Sequence, residues 1–331
     1  VDITEINQIF DKFSRMRVLV IGDAMIDMYL WGKVERISPE APIPIVSVTK
    51  HESRLGGAAN VVLNIQALGA TPILFSVIGN DENGRKFRRF LEKRNLSCEG
   101  IFSDPKRKTT VKSRIISNGQ HVARVDEETT AYIGQEMENE LISAIKETIN
   151  KSKTDAIAFV DYDKGVITPN LFRSVNKMAL KKGIPTAVDP KKRNFGLYKD
   201  VTLFKPNFGE FVGGTGLAVK KGDIRTLKEV ANTFKRKLNF KFIFITLSEL
   251  GVFISNGVNE QHYPAVIRDI ADVSGAGDTV VSVASLAAAA DLSPKIMAMM
   301  SNLAGGLVCE KVGVVPINKE QLMNEMQTQK I

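Results

Sequence analysis

The apolar positions divide the chain into short buried runs and longer amphipathic stretches. Residues 3–13 repeat their apolar side chains at helical spacing and predict an amphipathic helix, and the run Arg17-Val-Leu-Val-Ile-Gly22 predicts a buried strand. A strand is expected over 71–79 and a charged surface helix over 84–94. From Tyr132 onward the alternation is regular. Helices are expected over 134–151, 167–183 and 224–239, and strands over 154–160, 185–188, 201–204, 242–246 and 252–254. An apolar small-residue helix over 279–290 and a short helix over 319–326 follow. This repeated strand–helix pattern predicts an α/β chain with a mostly parallel sheet.

Two stretches break the alternation. Residues 29–54 carry the proline-rich run SPEAPIPIVSV and read as edge strands of a flap over the sheet. The only tryptophan, Trp31, falls here and reads as a packing or oligomer-contact residue. Residues 109–126 read as two alternating strands turning at Ser117-Asn118-Gly119, a hairpin signal. Lys112 and Arg114 share one face of it, and Arg124 lies on the return strand. Such charges solubilise an edge hairpin, or serve a lid over an anionic group.

At 331 residues the chain fits one α/β domain, 1–331, with insertions. The net charge of +8 points to an anionic partner, but the basic residues are dispersed and lack the aromatic interleaving of a nucleic-acid surface. A nucleotide triphosphate or a sugar phosphate serves as well. Cys98 and Cys309 make neither a metal spacing nor a disulfide framework, which points to a reducing, cytoplasmic setting. No signal-peptide pattern opens the chain and no apolar run is long enough to span a membrane, so no membrane partner is expected.

The chemistry concentrates in residues 268–285, RDIADVSGAGDTVVSVAS. Gly275, Ala276 and Gly277 leave backbone N–H groups unobstructed at what reads as a helix N-terminus, an anion site by its dipole and unpaired donors. Asp278 follows in the first turn, where a bound phosphate repels it unless it has a task. That task is to accept the proton of a hydroxyl attacking a phosphoryl group. The structural alternative is a turn with an ordinary first-turn aspartate. Asp23 and Asp27 follow the first strand, where open α/β sheets bind ligands; Asp23 reads as a turn cap and Asp27 as a ligand for sugar hydroxyls. Gly56-Gly57-Ala58-Ala59-Asn60 opens a helix with small residues that let a ligand approach the backbone.

The sequence D-V-S-G-A-G-D-T resembles the D-T-x-G-A-G-D signature of the ribokinase-like (PfkB) carbohydrate kinases. The resemblance runs in order through Asp27, GGAAN, G-x-D-x-x-G at Gly79–Gly84, the two β stretches, P-N-x-x-E and GAGD. It implies a three-layer α/β/α fold with a small β-sheet lid built from about 29–54 and 109–126, often paired across a homodimer. By resemblance, Asp278 is the base, and Gly275, Ala276 and Gly277 form the anion hole. Asp27, Gly56, Gly57, Asn60 and Asp161 hold the sugar. Asn207 and Glu210 orient magnesium and the nucleotide phosphates, largely through water. Thr246, Ser248, Gly251, Gly275 and Gly277 line the nucleotide side, and Asn302 the adenine pocket. A potassium-type ion beside Asp272 and Ser274 is compatible with the family, and the sequence does not decide it.

R-I-S-P-E-A-P-I-P-I-V, G-G-A-A-N-V, D-Y-x-K-G, D-P-K and K-P-N look closer to one branch, the heptose 7-phosphate kinases. That branch implies transfer of the ATP γ-phosphoryl group to the anomeric hydroxyl of D-glycero-D-manno-heptose 7-phosphate. Lys112, Arg114, Arg124, Lys164 and Lys191 are the candidates for the 7-phosphate. The branch is often fused to a nucleotidyltransferase, which is expected here on another protein. Leu247 stands where the branch usually has arginine, Lys205 replaces a common threonine, and D-P-K continues as K-R-N-F. A kinase of another sugar phosphate and a catalytically silent sugar- or nucleotide-binding protein are the alternatives.

Overall fold

The computed structural model describes residues 2–118 and 120–329. Gly119, the glycine of the expected hairpin turn, lies outside the described residues. The strands are β1 (Arg17–Gly22), β2 (Ala24–Ile37), β3 (Pro44–Gly57), β4 (Thr71–Gly79), β5 (Ile101–Asp104), β6 (Thr110–Ser117), β7 (Gln120–Glu127), β8 (Ala156–Val160), β9 (Thr186–Asp189), β10 (Leu203–Phe204), β11 (Phe242–Thr246), β12 (Val252–Ser255) and β13 (Glu260–Tyr263).

They form two sheets. The nine-stranded sheet has the order β13-β12-β11-β10-β9-β8-β1-β4-β5. It is parallel from β5 through β11 and antiparallel only at the β12 and β13 edge. The alternation of β1 shows how the layers form. Val18 and Val20 enter one apolar core with the helices Ile3–Ser14, Ala58–Ala67, Ala276–Ala289 and Pro294–Cys309. Leu19 and Ile21 enter the opposite core with Gln135–Lys151, Pro169–Lys182 and Ile224–Leu238. A period of two along the strand puts a helical layer on each face, a three-layer α/β/α arrangement. The chain leaves β1 toward β4 and β5, then crosses back to β8. The sheet's switch point therefore lies at the carboxyl end of β1, where such sheets bind ligands.

The small sheet has the order β3-β2-β6-β7. β2 pairs antiparallel with β3 and parallel with β6, and β6 pairs antiparallel with β7. β2 and β3 extend beyond the 29–54 stretch expected from sequence. β2 begins at Ala24, directly after Asp23, so Asp27 sits in a strand rather than a loop. β3 runs on to Gly57 and hands the chain to the Ala58–Ala67 helix without a connecting loop. Trp31 stacks on Tyr29 with ring centroids 6.2 Å apart.

Gly57 makes this strand-to-helix junction, and its backbone requires glycine. Its φ is +57°, and a Cβ there would lie 2.5 Å from the Asp23 carbonyl oxygen, which already accepts the Ala58 N–H at 3.0 Å. Gly57→Ala is expected to lower unfolding stability by about 2 kcal/mol or more, measured by urea denaturation.

Candidate active site

The Ala276–Ala289 helix starts at Gly275, whose left-handed φ of +83° turns the chain into the helix without a side-chain cap. Of the donors expected there, the Ala276 N–H is taken by the Val273 carbonyl at 3.3 Å. The first intrahelical bond is Thr279 N–H to Gly275 O at 3.0 Å, so the N–H groups of Gly277 and Asp278 stand at the helix head. A Cβ at Gly275 would lie 2.9 Å from Asn60 Nδ2, which shows how closely the two motifs approach.

Asp278 is buried, only 3 % exposed. Asn60 Nδ2 donates to its Oδ2 at 2.8 Å, and Tyr162 Oη donates to its Oδ1 at 2.7 Å. Asn60 is itself fixed by Asn64, whose Nδ2 donates to the Asn60 carbonyl at 2.8 Å. Burial pushes the Asp278 carboxyl up to about 7; the Asn60 and Tyr162 hydrogen bonds oppose this, while Asp189 and Asp27 add to it. A carboxylate with a pKa near 7 suits a general base at neutral pH.

Asp27 is 3 % exposed and ion-paired to Arg114. Burial raises its carboxyl above the ordinary range although Arg114 and Lys112 pull it down. Gly56 gives Asp27 its room, because a Cβ there would run into the Asp27 carboxylate.

The cations expected to receive a phosphate are already engaged. Lys112 Nζ lies 3.1 Å from Asp126 and 3.5 Å from Glu128, and Lys164 Nζ lies 2.8 Å from Glu128. Arg124 pairs with Asp126 at 2.9 Å and is exposed. Lys191 pairs with Glu210 and lies over the Tyr162 ring, 5.2 Å from its centroid. Asp161 lies among donors of its own. It is 2 % exposed, and its carboxylate accepts from Asp163 N–H at 2.8 Å, Tyr198 Oη at 2.6 Å and Asn194 Nδ2 at 3.1 Å. Sequence alone did not show that Asp161 would be held by these donors.

Asn207 and Glu210 form a reciprocal capping box, each bond 2.8 Å long, that starts the Phe208–Thr215 helix. Thr246 ends β11 and bridges to Asn207. Ser248 and Gly251 hold the following turn with φ of +57° and +86°. Leu247 is 1 % exposed and packs in the core, so this position presents no group to a nucleotide. Asn302 Nδ2 donates to the Pro264 carbonyl at 2.8 Å, at the rim of a cavity of about 340 Å³ lined by Tyr263, Val266, Met299 and Leu303. Asp272 accepts the N–H groups of Ser274 and Gly313, each at 2.9 Å. Burial acts against it, but these backbone donors hold its carboxyl below the usual range.

Two residues of the cluster carried no role in the sequence reading. Lys205 is 2 % exposed, 3.0 Å from Asp189, and its Nζ lies 3.8 Å from where a Cβ of Gly277 would be. Its only sequence signal was the departure from threonine in K-P-N. Tyr162 was visible only as the second letter of D-Y-x-K-G.

The model for pfkB family carbohydrate kinases matches residues 15–321. The chain belongs to this family. Membership carries the class of an ATP-dependent carbohydrate kinase. Among relatives, the Bifunctional protein HldE of Citrifermentans bemidjiense is 38 % identical over 323 residues, covering 97 % of this chain and 66 % of the relative. The Bifunctional protein HldE of Sulfurimonas denitrificans is 39 % identical over 306 residues, covering 92 % and 63 %. The chain thus spans slightly less than two thirds of the length of these relatives. Among solved structures, phosphofructokinase-2 from Escherichia coli in complex with potassium superposes with a TM-score of 0.78 at 16 % identity, covering 95 % of this chain and 98 % of that one. Arabidopsis thaliana ribokinase complexed with ribose and ATP superposes with a TM-score of 0.71 at 16 % identity, covering 93 % and 98 %. At that identity the likeness speaks to the fold, a ribokinase-like α/β/α sandwich with its small second sheet.

The buried Asp278 carboxyl makes a stability prediction. The Asp278 pKa is raised from 3.8 to about 7 in the fold, so the folded protein keeps a proton that the unfolded chain releases. This contribution to stability is complete below the unfolded pKa and is lost as pH rises through about 7. Asp278→Asn cannot ionise. The variant's advantage over wild type in unfolding free energy should grow from pH 4 to pH 7 and level off above, reaching on the order of 2–4 kcal/mol by calorimetry.

Proposed function

We propose that the chain phosphorylates the anomeric hydroxyl of D-glycero-D-manno-heptose 7-phosphate from ATP, giving the 1,7-bisphosphate. The observation that carries the reaction type is the buried Asp278 carboxylate in the first turn of a helix, 2.8 Å from Asn60 of the GGAAN motif. The relatives named HldE and the R-I-S-P-E-A-P-I-P-I-V stretch support the heptose.

In this reading Asp278 accepts the proton of the acceptor hydroxyl while the new O–P bond forms and the bond from the γ-phosphorus to the bridging oxygen breaks, releasing ADP. The Gly277 and Asp278 N–H groups and the Lys205 ammonium lie where charge develops on the transferring group. Asp27 and Asn60 hold the sugar, with Gly56 and Gly57 allowing its approach. Lys112, Arg114 and Lys164 receive the distal phosphate by exchange with their acidic partners. The nucleotide lies along Thr246, Ser248 and Gly251, with its base in the cavity beside Asn302.

The donor set fits a hydrated magnesium. Among the described residues no cluster of three or more His, Cys, Asp or Glu side chains could cage a metal. Asn207, Glu210 and Asp189 instead supply oxygens of the kind that hold magnesium through water and phosphate. When bound, magnesium neutralises the triphosphate.

The small sheet with its β2–β3 turn is the proposed dimer surface, since the strands expose Ile37, Val48 and Val125 and the turn exposes Ile43. A cytoplasmic site of action follows from the substrates. No helix among the described residues is long and apolar enough to cross a membrane.

ADP release from Mg-ATP is measured against heptose 7-phosphate, fructose 6-phosphate, fructose 1-phosphate, ribose and fructose. The expected outcome is turnover selective for heptose 7-phosphate; selectivity for another acceptor discards the heptose assignment. Asp278→Asn should lower kcat by ~10²–10⁴ with an unchanged circular dichroism spectrum, and near-normal turnover refutes the role of Asp278.

A further inference from the structure

Tyr162 is placed with more constraint than a packing residue needs. Asp23, 1 % exposed, accepts three backbone N–H groups from one loop: Tyr162 at 2.8 Å, Lys164 at 3.0 Å and Val166 at 3.0 Å. The loop turns through left-handed residues Asp163 (φ +63°) and Gly165 (φ +84°). Its backbone is thus pinned to the end of β1, and the Tyr162 ring is covered by the Lys191 ammonium at 5.2 Å. The outcome is a phenol aimed at a single acceptor, Asp278 Oδ1.

We propose that Tyr162 is the positioning residue of the base: its O–H and the Asn60 amide each bind one oxygen of Asp278, fixing the carboxylate plane so that a free lone pair faces the acceptor hydroxyl. This rests on Asp278 being the base. Burial, with Asp278 and Asp189 nearby, pushes the Tyr162 phenol well above its ordinary pKa, so the group stays a donor. A donor to the ionised form of a buried carboxylate favours that form.

The other groups facing Asp278 are Asn60 on the Ala58–Ala67 helix, Asp27 in β2, Asp189 at the end of β9, Lys191 after it, and Lys205 after β10. Asp27 and Asp189 disfavour the ionised base and are separately paired with Arg114 and Lys205. Asn60 and Tyr162 are the two groups that hydrogen-bond the carboxylate directly. Removing the phenolic hydroxyl therefore leaves one direct donor against two acidic neighbours.

The test is Tyr162→Phe, which keeps the ring under Lys191. Protein labelled with ¹³C at the aspartate carboxyl carbons is titrated without any sugar, and the Asp278 resonance is assigned by its loss in Asp278→Asn. Its midpoint, expected near 7 in wild type, should move to higher pH in Tyr162→Phe. Turnover of Mg-ATP with heptose 7-phosphate should fall about ten-fold at pH 6 and less than about three-fold on the alkaline plateau, with KM for ATP unchanged. In the double variant with Asp278→Asn, the Tyr162→Phe change should add no further loss, because it acts through the absent carboxylate. An unmoved Asp278 midpoint, or an equal fractional loss at every pH, overturns the proposal. Failure of the heptose assay alone overturns the substrate reading and leaves the titration to decide the role of Tyr162.

Discussion

Everything around the helix head answers one constraint: a carboxylate is held out of water without an opposite charge bound to it. Burying an unpaired anion is costly, and the fold meets that cost with two neutral donors and a helix dipole rather than an ion pair. A direct lysine or arginine partner would have kept Asp278 ionised but would have lowered its basicity. The cations in the cluster are assigned elsewhere, Lys205 to Asp189, Lys191 to Glu210 and Arg114 to Asp27. Asp278 is left as the group whose proton affinity burial sets, which is the property a base requires.

The same economy explains how the small sheet is fastened over the large one. Arg54 Nη1 donates to the carbonyls of Val312 and Val314, both at 3.0 Å, and lies over the Tyr29 ring. Tyr29 Oη in turn accepts the Val314 N–H at 2.9 Å. These bonds are made from the face of β2 and β3 that also carries Asp27. The strand stretch that carries Asp27 is therefore fastened by contacts to the segment that follows the Pro294–Cys309 helix.

Much of this was legible in the sequence. β4 and β11 fall on the expected residues, and the Gly275–Asp278 junction forms the expected helix start, because runs bounded by glycine and turn residues leave little choice of period. The strands β5 and β13 were missed because IFSD and EQHY are only four residues long, carry two or fewer apolar side chains and owe their pairing to neighbours already in the sheet. The Pro294–Cys309 helix went unread because its buried sides, rich in Ala, Met and Gly, leave no polar stripe to mark a helical period. For the site, motif glycines and Asp278 carry strong local signals. The donors of Asp161 were hidden, because a carboxylate after a strand looks alike whether or not a tyrosine and an asparagine such as Tyr198 and Asn194 meet it. Tyr162 and Lys205 acquire meaning only when separate strand ends meet.

The pairing of the cations bears on how an anionic sugar would be told from a neutral one. Lys112 and Lys164 share Glu128, and Lys112 also meets Asp126, so these side chains are not free charges awaiting a phosphate. Binding there is an exchange of one anion for another. The pairs are largely shielded, with side chains 13–24 % exposed, so separating them without a replacement anion carries a cost. A dianionic phosphate offers both lysines more charge than a shared carboxylate and recovers that cost, whereas a neutral hydroxyl does not. Under the proposed function the acidic partners would weaken binding of every acceptor but that of unphosphorylated sugars most, so Glu128, touching no phosphate, would act on selectivity through what the wrong substrate must displace.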